Sequence, residues 1–110
     1  MTDKLEILQD KFRPIFERYK IQKAIVFGSF ARSEPSTRSD LDLILVQMTD
    51  KRFFDRYEGI QVDLGKAAGK LSVDLLIYTP QELNAISQRS FIAQALREGK
   101  VIYESKQESP

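Results

Sequence analysis

Three carboxylates and a Gly-Ser pair are the residues of this chain whose types and spacing could do chemistry. Asp40 and Asp42 head the apolar stretch Asp-Leu-Asp-Leu-Ile-Leu-Val-Gln, residues 40–47. Side chains two apart on a strand share a face, with α-carbons roughly 6.5–7 Å apart. Two carboxylates there repel, and each resists ionising in an apolar setting. A divalent cation relieves that repulsion, so the pair reads either as a metal-binding edge or as two solvated side chains at a fraying strand end. Asp74 sits inside a second apolar run, Ser72 to Tyr78, where a lone carboxylate is costly unless paired or bound to metal. If the two runs are neighbouring strands, three carboxylates converge. Two metal ions about 3.5–4 Å apart could then clamp an in-line phosphoryl displacement. Asp63 competes for the third place, but it lies in a glycine-punctuated stretch, and Asp74 is preferred.

Gly28-Ser29 follows a third apolar run, Lys23 to Phe27. Glycine lets a ligand approach the backbone closely, and the first amides of a following short helix lack intrahelical partners. They form an anion site to which the Ser29 hydroxyl adds a donor, and Arg32 one turn later could pair with a phosphate. Taken alone, Gly-Ser after a strand is more often just a turn.

The elements that must position these groups follow from periodicity. Leu5, Leu8, Phe12, Ile15, Phe16 and Tyr19 recur at helical spacing over residues 3–19, with Pro14 expected to kink or divide the helix. Strands are predicted at 23–27, 40–47 and 72–78, with a short helical turn at 29–33 and a loop at 34–38. A helix is predicted within 52–68; Phe53, Phe54 and Tyr57, with Phe91, could form an exposed partner surface, but their helical spacing favours the core. Thr79-Pro80-Gln81-Glu82 combines an N-cap, a first-position proline and a capping-box glutamate, and so opens a helix. Residues 88–97 continue helically to a stop at Gly99, and 101–103 form a last short strand. The order defines a two-layer α/β (α+β) domain over residues 1–103, followed by a polar tail at 104–110.

Composition narrows the chemistry. The chain has 110 residues, 42% of them hydrophobic and 30% charged, which suits one small globular domain. Lys and Arg number 17 against 16 Asp and Glu, a net charge of +1. That balance argues against direct, non-specific nucleic-acid binding. There is no Cys and no His, which excludes disulfides, thiolate nucleophiles, zinc–thiolate sites and imidazole bases. Any metal must take oxygen ligands and is therefore a hard cation such as Mg²⁺. No apolar run is long enough to span a membrane, and Met-Thr-Asp-Lys is not the start of a signal peptide. A cytoplasmic location is the expectation.

Gly28-Ser29-Phe30-Ala31-Arg32-Ser33, a short loop, and Ser39-Asp40-Leu41-Asp42-Leu43 together resemble the signature of the polymerase-beta-type nucleotidyltransferase superfamily. Within it the chain most resembles the minimal nucleotidyltransferase (MNT) proteins, and the likeness runs through almost the whole sequence. It implies a small two-layer nucleotidyltransferase fold with a short mixed sheet and helices mainly on one face. By the same resemblance, Gly28, Ser29, Arg32 and Ser39 would bind the nucleotide, ATP. Asp40, Asp42 and Asp74 would be catalytic and bind two Mg²⁺ ions. The implied activity is transfer of AMP to a hydroxyl of a partner protein, typically a small helical HEPN toxin that an MNT antitoxin modifies. Two other functions compete: transfer to a small molecule such as an aminoglycoside, and a catalytically inactive domain that neutralises a helical partner by binding. Ser33 departs from the family's usual glycine, and Arg38 stands where an acidic or polar residue is common.

Overall fold

The computed structural model describes residues 4–28 and 40–105. Helix α1 (Lys4–Arg18) leads into β1 (Ile21–Phe27), and β2 (Asp40–Gln47) follows. A 3-10 helix (Phe53–Tyr57) and α2 (Ile60–Ala68) then precede β3 (Ser72–Tyr78), and α3 (Pro80–Ile86), α4 (Ser90–Glu98) and β4 (Lys100–Glu104) complete the chain. The sheet has the order β3-β2-β1-β4. β1 runs antiparallel to both β2 and β4, whereas β2 and β3 are parallel, so the sheet is mixed. A parallel pair needs a crossover, and the segment carrying the 3-10 helix and α2 supplies it.

Alternation along the strands sorts the core into two layers. Ala24 and Val26 of β1, Leu41, Leu43 and Leu45 of β2, and Leu75 and Ile77 of β3 face α1 and α2 in the larger cluster. Phe12 and Phe16 are fully buried there, edge to face at 5.8 Å, each contributing about 2–3 kcal/mol by burial. The intervening residues Ile25, Phe27 and Ile44 face the other way and pack with Ile92 and Ala95 of α4, with Leu83 and Ile86 of α3 beside them. Helices α1 and α2 thus cover one face with the larger core, and α3 and α4 cover the other with the smaller, so the sheet lies between two helical layers.

Several local expectations need correction. Pro14 does not divide α1, which runs through it. Pro14 is exposed, as is Asp10, whose carbonyl the missing amide would have engaged, so water can satisfy that carbonyl. Phe12 and Phe16, buried on either side, hold the helix against the sheet. The helix sought within 52–68 is two elements, broken at Gly59, whose φ of 80° ends one and opens the next. Phe54 and Phe91 are not core: they are 84% and 60% exposed. β1 begins two residues earlier than predicted and β4 reaches Glu104. The Ser105 amide donates to the Gln22 carbonyl at 2.7 Å; the rest of the expected tail lies outside the described residues. Among the described residues no helix is long and apolar enough to cross a membrane.

Candidate active site

The parallel pairing of β2 with β3 settles which carboxylates meet. Asp42 is the direct partner of Asp74, and Asp40 is the partner of Ser72. Strand parity puts Asp40, Asp42 and Asp74 on one face of the sheet, the face that carries Ile44 and Phe27. β1 contributes from the other side, because Phe27 is the antiparallel partner of Asp42. Asp40 and Asp74 are exposed, whereas Asp42 is half-buried between its neighbours. Burial pushes the Asp42 carboxyl above the usual carboxylate range. The adjacent Asp74, by its charge and as a hydrogen-bond partner, pushes it further, and the charge of Asp40 adds to this. The paired carboxylates therefore stand in the state of mutual repulsion that a cation relieves. Among the described residues no three acidic side chains form a ready-made metal cage; the close unit is the Asp42–Asp74 pair, with Asp40 two residues earlier on the same face.

Gly28 closes the other side. Its φ is +75°, and a Cβ built there would lie 2.5 Å from Oδ2 of Asp42. Only glycine accepts both the left-handed backbone and the contact. Gly28→Ala is expected to cost about 1–2 kcal/mol from backbone strain. It should also displace the Asp42 carboxylate and lower nucleotidyl transfer by at least tenfold. Thermal unfolding and initial rates measure the two effects separately.

Ser29, Arg32 and Ser39, together with Ser33 and Arg38, lie outside the described residues. Asp63, the competing third carboxylate, belongs to a different layer. It sits in the first turn of α2, where it accepts hydrogen bonds from the Tyr19 hydroxyl at 2.8 Å and Arg18 at 3.2 Å.

Two groups escaped the sequence reading. One is the face of α4 that carries Phe91, Gln94, Ala95 and Glu98, which lines a cavity with Phe27, Gly28 and Asp42. The helix is seated close to β1, since a Cβ on Gly99 would come within 2.6 Å of Ile25 Cγ2. The spacing i, i+3, i+4, i+7 marks these residues as one helix face, but nothing in the sequence says what that face meets. The other is Arg56. It is buried at the β3 edge and grips Glu82 with two hydrogen bonds, at 2.6 and 3.0 Å.

A mixed sheet that presents paired carboxylates beside a glycine with an open backbone is chemically suited to nucleotidyl transfer. Comparison with known proteins agrees. Residues 10–108 match the family model described as polymerase beta, nucleotidyltransferase. A relative named as a protein adenylyltransferase of Methanocaldococcus jannaschii is 32% identical over 72 residues, which cover 66% of this chain and 71% of the relative. Two solved structures share the fold. One, a toxin–antitoxin with AMP-PNP, gives a TM-score of 0.64 at 20% identity, over 89% of this chain and 74% of the other. The second is a tri-AMPylated Shewanella oneidensis HEPN toxin in complex with an MNT antitoxin. It gives a TM-score of 0.61 at 17% identity, over 93% and 74% of the two chains. The chain belongs to the polymerase beta nucleotidyltransferase family and is an enzyme of nucleotidyl transfer.

Proposed function

We propose that this chain transfers AMP from ATP to a hydroxyl of a helical partner protein of the HEPN type, as the antitoxin of a toxin–antitoxin pair. The observation that carries the proposal is the pairing of Asp42 with Asp74 across β2 and β3, directly against Gly28. The naming of the archaeal relative supports adenylyl transfer. The AMPylated toxin in a structural neighbour supports the class of acceptor.

The donor set fits magnesium, because it is made of carboxylate oxygens alone and its central member is held in mutual repulsion. Two Mg²⁺ ions held by Asp40, Asp42 and Asp74 would neutralise that repulsion, brace the phosphates and make the acceptor hydroxyl more acidic. Gly28 leaves its backbone open to close approach by a phosphate. Gly28 and Ser29 then hold the β- and γ-phosphates, Arg32 pairs with a phosphate, and Ser39 also binds the nucleotide. Asp74, exposed on the edge strand, takes the acceptor's proton. The acceptor oxygen bonds to the α-phosphorus as the bond to the bridging oxygen breaks, and pyrophosphate leaves. No imidazole is required.

The test mixes the purified protein with Mg²⁺, ATP labelled on the α-phosphate, and the product of the neighbouring gene. Label should appear on the partner and be lost with Asp40→Asn plus Asp42→Asn. A stable complex with neither transfer nor Mg²⁺-dependent ATP binding would overturn the proposal in favour of neutralisation by binding alone.

A further inference from the structure

The cavity between the end of β1 and α4 is about 180 Å³. That is well below the roughly 300–1,000 Å³ of pockets that enclose a whole ligand; it suits a single planar ring. Its walls are Phe27, Phe91 and Ala95, and its polar rim includes Asp42, Gln94 and Glu98. Phe27 and Phe91 meet edge to face, with centroids 5.7 Å apart and planes at 84°. Phe27 is buried, yet Phe91 remains 60% exposed. An aromatic ring left this open to water beside a mainly apolar cavity with a polar rim is a stacking surface in waiting, and stacking is favourable for any base.

From this arrangement we infer that Phe91 stacks on the nucleobase of the nucleotide, with Gln94 at the base's edge. The inference rests on the nucleotide reading of the Gly28–Asp42 edge. Position distinguishes the nucleobase from an aromatic ring of the acceptor. Gly28, the expected phosphate anchor, lines the cavity, whereas Asp74 does not. The strand order places Asp74 across β2 from β1, so the acceptor side lies at the β3 edge and the cavity on the nucleotide's side. The Glu98 carboxylate at the far rim disfavours a phosphate inside, which leaves the uncharged ring as the occupant. Gln94 donates to Glu98 at 2.9 Å, which holds its amide in a fixed orientation beside the ring. Phe91, Gln94 and Glu98 thus form a specificity-determining face for the base, separate from the carboxylates that serve the phosphates.

Calorimetric titration with Mg²⁺-ATP and with Mg²⁺-tripolyphosphate tests this, since only ATP carries a base. The wild-type chain should bind ATP more tightly than tripolyphosphate. Phe91→Ala should weaken ATP about tenfold, within the range for one stacked base, and leave tripolyphosphate within twofold. Phe91→Trp, which keeps an aromatic face, should restore ATP binding. Equal loss for both ligands, no loss for either, or failure of Phe91→Trp to restore binding would overturn the inference. So would unchanged ATP affinity with a raised KM for the acceptor, which would give the cavity to the acceptor. A wild-type chain that binds both ligands equally removes only the base site. One that binds neither removes the nucleotide reading as well.

Discussion

Asp42→Asn is expected to make the metal-free protein more stable while it abolishes nucleotidyl transfer. The Asp42 carboxyl titrates above its ordinary range in the folded chain because burial, then Asp74, then Asp40 disfavour its charge. A group whose folded-state pKa is raised stabilises the fold fully below its unfolded pKa, and that contribution is lost as pH rises through the folded value. Near neutral pH the charged Asp42 is therefore a liability of the metal-free fold. Asparagine keeps the shape and removes the charge. The gain should be about 1 kcal/mol, the usual scale for relieving a functional-site liability. Without the paired carboxylate, transfer should fall by roughly 10³-fold or more, as when a catalytic group is removed. Melting temperatures without metal, measured across pH 4–7, should fall more steeply for the wild type than for the variant. Added Mg²⁺ should raise the wild-type melting temperature through binding to the native state alone, and should do little for Asp42→Asn. A variant less stable than the wild type at neutral pH without metal would contradict this account of the site.

The fate of the sequence expectations follows from how far each signal reaches. β2 and β3 begin and end where predicted, because an apolar run bounded by polar residues is a local signal. The Thr79–Glu82 capping box is present as read: the Thr79 hydroxyl accepts from the Glu82 amide, and Glu82 accepts from the Thr79 amide. Both depend on residues a few places apart. Pro14 shows the limit of local rules, since its helix is held by Phe12 and Phe16 against a sheet built from distant residues. The meeting of Asp42 with Asp74 was legible only as a condition, that β2 and β3 be neighbours. Strand adjacency is tertiary and supplied the answer. Phe54 and Phe91 misled because their helical spacing is correct and only the packing decides which face is covered. Glu82 was read as a cap, and its stronger partner, Arg56, lies 26 residues away with no periodic relation to it.

That partnership sets the second large effect expected here. β3 is an edge strand, and its outward backbone at Ile77 is occupied by the preceding 3-10 helix. The Ile77 amide donates to the Tyr57 hydroxyl at 3.0 Å, and its carbonyl accepts from Arg56 at 3.2 Å. Arg56 also donates to the Lys51 carbonyl and pairs with both oxygens of Glu82. Its side chain is only 6% exposed, while that of Glu82 is 43% exposed. Covering an edge in this way blocks pairing with another chain. Removing Glu82 leaves a buried guanidinium without its counter-charge, so Glu82→Gln should cost about 1–2 kcal/mol, below the range for a fully buried pair because Glu82 is itself partly exposed. Arg56→Met with Glu82→Gln should cost less than the two single changes together, because neither charge is then stranded. The pH dependence has a definite sign. Arg56, followed by the Thr79 amide, holds the Glu82 carboxyl down at about 2, so the stability it contributes is present above the ordinary glutamate range and is lost as pH falls towards 2. The full shift would correspond to about 3 kcal/mol, and the solvent exposure of Glu82 reduces this to about 1–2 kcal/mol. Urea unfolding of the four chains of this cycle at pH 7 and pH 3 measures both quantities. A strictly additive cycle, or a wild-type chain whose stability relative to Glu82→Gln does not shrink at pH 3, would show that Arg56 is held by its backbone acceptors alone.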